Sequence, residues 1–297
     1  MAIRLGSTNH SAVTQSARFQ ARYGPWALIA GASMGLGAEF ARQIAAMGPN
    51  VVLVARRADV LAQLGKQIAQ EYGVQVRTLA LDLAIADSIA AIIDQTKDLE
   101  IGLLVYNAAF SAVGSFIDTS LDDHLREIDV NCRGPLMLSH QLGQAMLARQ
   151  HGGIILMSSL GATQGSALIA NYAATKAYNL LLAESLWDEL REVGVDVLAC
   201  AAGAIATPNY LSSQPKSTRL NAMSLTSPQV VVAEALGALG HQPSVIPGRG
   251  NRLAAFFMRR VLPRRMAIQI MGQTMRRMYA RPRGVPLSSL KQNALKE

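Results

Sequence analysis

Six short, almost unbroken apolar runs recur along this chain, separated by stretches of helical periodicity. The runs are WALIAGA (26–32), NVVLVARR (50–57), VQVRTLALDL (74–83), IGLLVYNAA (101–109), GGIILMSSL (152–160) and VDVLACAAGA (195–204). Strands that do not alternate apolar with polar residues are buried on both faces. Between them the spacing predicts helices over 36–48, 59–73, 86–98, one long helix within 120–150, and one over 171–194. Strand–helix–strand units of this kind close into a parallel sheet covered on both sides. The expected fold class is therefore α/β, a doubly wound parallel sheet. The segment 227–240 reads as a last core helix with a Ser/Pro start, and PSVIPGRG (243–250) supplies a short last strand.

Charge divides the chain where the periodicity ends. Residues 246–297 hold ten Arg, two Lys and one Glu, a charge of +11, whereas residues 1–245 carry −3. Basicity thus belongs to a tail and not to a nucleic-acid-binding fold. Three regions follow: a polar N-terminal extension (1–22), a sheet domain (23–245) and a basic amphipathic C-terminal extension (246–297). Cys132 and Cys200 are far apart and lack metal-ligand spacing. No metal site is expected, and a reducing, cytoplasmic setting fits. No run is long enough for a transmembrane helix, and the N-terminus lacks the apolar core of a secretory signal.

In such a sheet the working residues lie beyond the carboxyl ends of the strands. The first strand ends in AGASMGLGAEF, which sets Gly31, Gly35 and Gly37 between a strand and a helix. That is a turn suited to a pyrophosphate, with the helix N-terminus offering free N–H groups and a positive dipole end. The spacing is G-x-x-x-G-x-G, and a glycine turn without ligand is the plainer alternative. The second strand ends in Arg56-Arg57, where an acidic residue would bind a ribose 2′-hydroxyl. A guanidinium suits a 2′-phosphate, so NADP(H) is expected over NAD(H). The third strand ends in Asp82-Leu83, placed to touch an adenine, although Asp82 equally suits a helix cap.

At this point the sequence resembles the short-chain dehydrogenase/reductase family over about residues 24–207. GASMGLG (31–37), with Ser33 and Leu36, matches the cofactor loop of this Rossmann-fold family. YNAA (106–109) stands where the family has Asn-Asn-Ala-Gly, and VNCRGP (130–135) supplies Asn131. YAATK (172–176) matches the Tyr-x-x-x-Lys signature, with Ser159 thirteen residues earlier. AGAIAT (202–207) matches the Pro-Gly-x-x-x-Thr turn apart from its first residue. Ala30, Tyr106, Ala109 and Ala202 depart from the family pattern, and they are expected to change how the first and fourth strands are tied.

The residue types suggest the chemistry. A ketone that accepts hydride on carbon must gain a proton on oxygen. A phenol releases its proton near pH 10, and a cation one helical turn away is expected to lower that value. Tyr172 is then the proton donor in reduction and the base in oxidation, and Ser159 donates to the carbonyl oxygen. Lys176 is expected to lower the tyrosine pKa and to hold the nicotinamide ribose. The resemblance implies that Asn131 positions a water beside Lys176. It also implies that Asn107 and Ala108 support the cofactor, and that Ile205 and Thr207 reach the nicotinamide. Ser158 and Ser159 alone would pass as turn residues, Asn131 as a packing amide, and His124, His140 and His151 as structural. A catalytically silent NADP(H)-binding scaffold is the alternative.

The segment 208–225 follows the sixth strand, where the family places a substrate loop. Tyr210 and Leu211 are expected to line an apolar pocket, with 110–116 as the opposite wall. The resemblance is nearest to 3-oxoacyl reductases and 17β-hydroxysteroid dehydrogenases, which implies a lipophilic carbonyl substrate and a homodimer or homotetramer. In the tail, Leu253, Phe257 and Val261 share one helical face, and Ala267, Met271, Met275 and Met278 another. Such faces suit packing on the enzyme body, packing on a partner subunit, or peripheral contact with an anionic membrane.

Overall fold

The computed structural model describes residues 16–203, 205 and 226–279. Seven strands form one sheet in the order β3-β2-β1-β4-β5-β6-β7, and every neighbouring pair is parallel. They are β1 (Trp26–Ala30), β2 (Asn50–Ala55), β3 (Val76–Ala80), β4 (Ile101–Tyr106), β5 (Gly152–Ser159), β6 (Val195–Ala202) and β7 (Ser244–Val245). Unbroken apolar strands serve two cores at once. Ala27 and Ile29 point to one face with Phe40, Ile44, Leu61 and Val231. Leu28 and Ala30 point to the other with Ile92, Leu138, Met146 and Leu180.

The connecting helices are α2 (Gly35–Ala46), α3 (Ala58–Tyr72), α4 (Ser88–Asp94), α5 (Leu121–Ile128), α6 (Gly134–Arg149) and α7 (Ala170–Leu190). A helix over 16–23, here α1, precedes the first strand. The region read from sequence as a polar extension thus contributes to the core. Phe19 and Tyr23 are buried one turn apart, and the Tyr23 hydroxyl donates to Asp196 at 2.8 Å. After β6 come α8 (Pro228–Ala238), capped by the Ser227 hydroxyl, then α9 (Arg249–Phe256) and α10 (Arg264–Met278).

The long helix expected within 120–150 is interrupted by a π-helical turn at Asp129–Arg133. The cause is Pro135, which has no N–H to donate. In the widened turn the Gly134 N–H reaches Asp129 O, five residues back. The Val130 carbonyl would then need the absent proline N–H. The Tyr106 hydroxyl takes its place at 2.6 Å, on the buried side. Gly134 leaves room for it, since a Cβ there would overlap the phenol oxygen. Tyr106 is therefore matched to the helix break across the sheet. Replacing Tyr106 by Phe strands a buried carbonyl and should cost about 1–3 kcal/mol in chemical denaturation; an unchanged midpoint and slope would refute the assignment.

Candidate active site

β1 and β4 are neighbours in the sheet, but β1 leads to the β2 side and β4 to the β5 side. Their carboxyl ends therefore open a crevice. Gly31 leaves β1 with φ +83°, and a Cβ there would lie 2.6 Å from the Ala108 Cα. A Cβ on Gly37 would overlap the Gly31 carbonyl and come within 2.8 Å of the Asn107 side-chain nitrogen. Asn107 Nδ2 donates to the Gly31 carbonyl at 2.9 Å. The backbone N–H groups of Asn107 and Ala108 both reach Ala30 O, at 2.9 and 2.8 Å. These bonds tie the first and fourth strands.

No side chain caps α2, and its first turn holds no acidic residue, so its N–H groups and positive end face this crevice. Ser33 and Gly35 are half-buried along the turn, and Arg56 and Arg57 are exposed directly after β2. A cradle without room for Cβ atoms, an uncapped helix end and two guanidiniums suit a dinucleotide phosphate. Leu36 and Leu83 turn their side chains into the two cores and offer a ligand mainly their backbone. Asp82 does not cap the following helix through its carboxylate. It binds Arg126 at 2.6 Å and the Ala84 N–H at 3.0 Å, and these contacts hold it below the usual carboxylate range against the opposing effect of burial. Ile205 is buried and bridges to Thr226. Thr207, Tyr210 and Leu211 lie outside the described residues.

Three of the four proton-handling candidates meet at the end of β5. The two serines separate by direction. Ser158 is buried and donates to the Lys176 carbonyl at 2.7 Å, tying β5 to α7. Ser159 opens a 3₁₀ turn, accepts from the Gly161 N–H at 3.1 Å, and sits beside Tyr172, whose proton affinity it lowers. Tyr172 and Lys176 lie one turn apart on α7, with the ammonium 5.8 Å from the phenol ring centroid. Lys176 is buried and donates to the Met157 carbonyl at 2.9 Å.

The proton affinities correct the expectation from residue types. Burial pushes the Tyr172 phenol up to about 12, although the neighbouring Ser159 side chain opposes the rise. Burial also brings the Lys176 ammonium down to about 8. Desolvation disfavours both charged forms, and it outweighs what the lysine was expected to do for the tyrosine.

Asn131 lies in the interrupted helix, facing the loop after β4 and α7. It is fully buried in the π turn, and its amide is committed to protein. Oδ1 accepts from the Phe110 N–H at 2.8 Å, and Nδ2 donates to Phe110 O at 2.8 Å and Thr175 Oγ1 at 3.0 Å. One side chain thus joins the loop after β4, the interrupted helix and α7. A second joint went unread in the sequence. The Glu127 carboxylate, fully buried, accepts from the Ala112 N–H at 2.8 Å and from Asn171 Nδ2 at 2.7 Å. Burial raises its pKa. His124 lies beside it and reaches the Phe116 carbonyl at 3.0 Å. The available signal was spacing: Glu127 is one turn before Asn131 and shares its inward side.

The wall over Tyr172 comes from the tail. Met275 and Met278 of α10 pack with Ile169, and Val113, Met271, Tyr172 and Tyr279 join that cluster. The Ala267–Met278 face thus packs on the enzyme body. Across the opening, the Gly114 N–H bonds the carbonyl of Leu168, a residue held at φ +66°.

This arrangement matches a described family. The model for short chain dehydrogenase covers residues 25–217. The chain belongs to this family. Among curated relatives, the 7beta-hydroxysteroid dehydrogenase of Clostridium sardiniense is 31% identical over 236 residues, 79% of this chain and 89% of that protein. The very-long-chain 3-oxoacyl-CoA reductase of Aspergillus clavatus is 32% identical over 253 residues, 80% of this chain and 71% of that protein. A solved structure concerned with 7beta-hydroxysteroid dehydrogenase stereoselectivity superposes with a TM-score of 0.81 at 30% identity, covering 85% of this chain and 98% of that one. A short-chain dehydrogenase from Sphingobium yanoikuyae in complex with NADPH gives a TM-score of 0.69 at 27% identity, covering 78% and 92%. As a short-chain dehydrogenase, this chain is an oxidoreductase that interconverts alcohol and carbonyl groups. Among the described residues no group of His, Cys, Asp and Glu could hold a metal ion, and no helix is long and apolar enough to cross a membrane.

Proposed function

We propose that the protein is an NADP(H)-dependent reductase or dehydrogenase of a lipophilic carbonyl or secondary alcohol, with a ketosteroid or 3-oxoacyl compound as the substrate type. The observation that carries the reading is the Tyr172 hydroxyl, set beside Ser159 at the end of β5 beneath an apolar wall of Ile169, Met275 and Met278. The names of the two curated relatives support the substrate class.

A nicotinamide coenzyme supplies the hydride when bound. The turn of Gly31, Ser33, Gly35, Leu36 and Gly37 would hold its pyrophosphate. Arg56 and Arg57 would hold a 2′-phosphate, Asp82 and Leu83 would flank the adenine, and Asn107, Ala108, Ile205 and Thr207 would flank the nicotinamide half. The substrate oxygen lies between Ser159 and Tyr172. As negative charge develops there, Ser159 donates a hydrogen bond and Tyr172 gives up its proton. A phenol held at about 12 still donates readily, because an alkoxide is far more basic than a phenolate. Lys176 steadies the phenolate and the ribose, and Asn131 positions the catalytic helix.

Phe116, Leu121, Leu125, Ile128, Leu136 and Leu181 leave apolar surface exposed on and beside α5 to α7. That surface supports a homodimer or homotetramer built on these helices. Both thiols are free, which suits the cytoplasm, and imaging of a tagged chain reads that directly.

Three outcomes follow. Tyr172→Phe should lose at least about a thousandfold in kcat while coenzyme binding, read by fluorescence, stays within a few-fold; turnover near wild type removes Tyr172 as the donor. In a depletion screen over ketosteroids, 3-oxoacyl thioesters, sugars and simple ketones, NADPH should outperform NADH, and Arg56→Glu should reverse the order. A preference for NADH in the unaltered protein contradicts the role of Arg56. Light scattering should give a dimer or tetramer, and a monomer would rule out the proposed assembly.

A further inference from the structure

The least ordinary surface outside the site is the outer side of the C-terminal helices. Their inner side is accounted for. On α9, Asn251 and Ala255 are buried, and Asn251 Nδ2 donates to Pro247 O at 2.9 Å. On α10, Ala267, Met275 and Met278 are buried against the body. The opposite side is apolar too. Leu253 and Phe256 on α9, and Phe257 opening the π-helical turn directly after it, recur at i, i+3 and i+4 and are 60%, 55% and 49% exposed. Val261 follows, and on α10 Met266 and Ile270 are 48% and 42% exposed. Phe256 and Phe257 meet edge to face, 5.9 Å between centroids, exposed to solvent together.

Guanidiniums border these side chains. Arg259, Arg260, Arg264 and Arg265 lie at the junction of the two helices, and Arg276 and Arg277 end the second. Arg252 is engaged by Glu234 at 2.6 Å, and Arg264 reaches the Thr163 carbonyl at 3.0 Å. Among the described residues, Arg259, Arg260 and Arg265 form no ion pair. There is no Asp or Glu anywhere from 246 to 279.

The charge pattern selects the occupant. A second copy meeting this face through a two-fold axis would set arginines against arginines. A neutral apolar partner would leave the arginines unused. A surface that is negative outside and apolar within satisfies both kinds of side chain. We propose that the outer face of α9 and α10 docks on an anionic lipid bilayer, with Leu253, Phe256 and Phe257 entering the headgroup–acyl boundary and the arginines on lipid phosphates. The inner face of the same α10 covers Ile169 and Tyr172, so the helix that would lie on the lipid is also a wall of the candidate site. The docking itself does not rest on the lipophilic-substrate reading.

The test is sedimentation of the full-length protein with vesicles of phosphatidylcholine, with and without phosphatidylglycerol, in the absence of substrate. Anionic vesicles should bind at least about tenfold better than neutral ones, and high salt should abolish the difference. Phe256→Ser/Phe257→Ser and Arg259→Glu/Arg260→Glu should each weaken binding about tenfold or more. All four positions are exposed, so melting curves should stay near wild type; if one pair fails to fold, the other decides. Absence of anionic binding, equal binding to both vesicles, or variants that bind like wild type would overturn the proposal. So would variants that halve the mass in light scattering while the wild type ignores vesicles, which would make the face a contact between copies. None of these readouts involves turnover, so failure here leaves the enzymatic reading untouched.

Discussion

One carboxamide holds the working parts of this molecule in register. Asn131 is fully buried, yet each polar atom of its side chain has a partner. A buried amide left half-satisfied is costly, so this arrangement tolerates little displacement of Phe110 or Thr175. Thr175 lies between Tyr172 and Lys176 on α7 and donates to the Tyr172 carbonyl at 2.8 Å. The loop after β4 and the start of α7 are thereby positioned from one point. The amide can face both because the helix widens around it. That widening comes from Pro135, and the orphaned carbonyl beside it is met by Tyr106 from β4. The residue that departs most visibly from the family pattern is thus part of the device that orients Asn131.

Around that frame, burial sets the electrostatics more than pairing does. Tyr172 is raised to about 12 and Lys176 lowered to about 8, each chiefly by desolvation. The lysine finds a backbone carbonyl, Met157 O, instead of an acidic side chain. Glu127 is raised by the same cause and anchors the loop over the site. The neighbourhood therefore holds protons tightly on its acids and loosely on its base. That suits a site proposed to deliver a proton to an alkoxide and to exclude water while doing so.

The tail unites two surfaces on one pair of helices. The methionines of α10 turn toward Tyr172 and Ile169, where their unbranched side chains adapt to an irregular wall. The opposite faces of α9 and α10 stay apolar and basic in solvent. A helix needed only for packing would be expected to carry polar residues on its outer face. The retention of Phe256 and Phe257 there is the physical puzzle that docking on a bilayer would resolve.

The chain by itself determined the parallel sheet, the glycine turn after the first strand, and the placement of Ser159, Tyr172 and Lys176 on consecutive elements. These depend on local period and spacing, which a linear sequence carries. It did not show that Phe19 and Tyr23 belong to the core, because two aromatics among polar neighbours make a weak period. Nor did it show that the long helix breaks around Asn131. Pro135 was in view, but its consequence depended on a hydroxyl from another strand. The division of labour between Ser158 and Ser159 followed from the direction in which β5 turns each side chain. Only tertiary structure decided the proton affinities, because desolvation depends on everything that packs around a group. A cation one turn away is visible in the sequence; the dry surroundings that outweigh it are assembled from β5, α7 and α10 together.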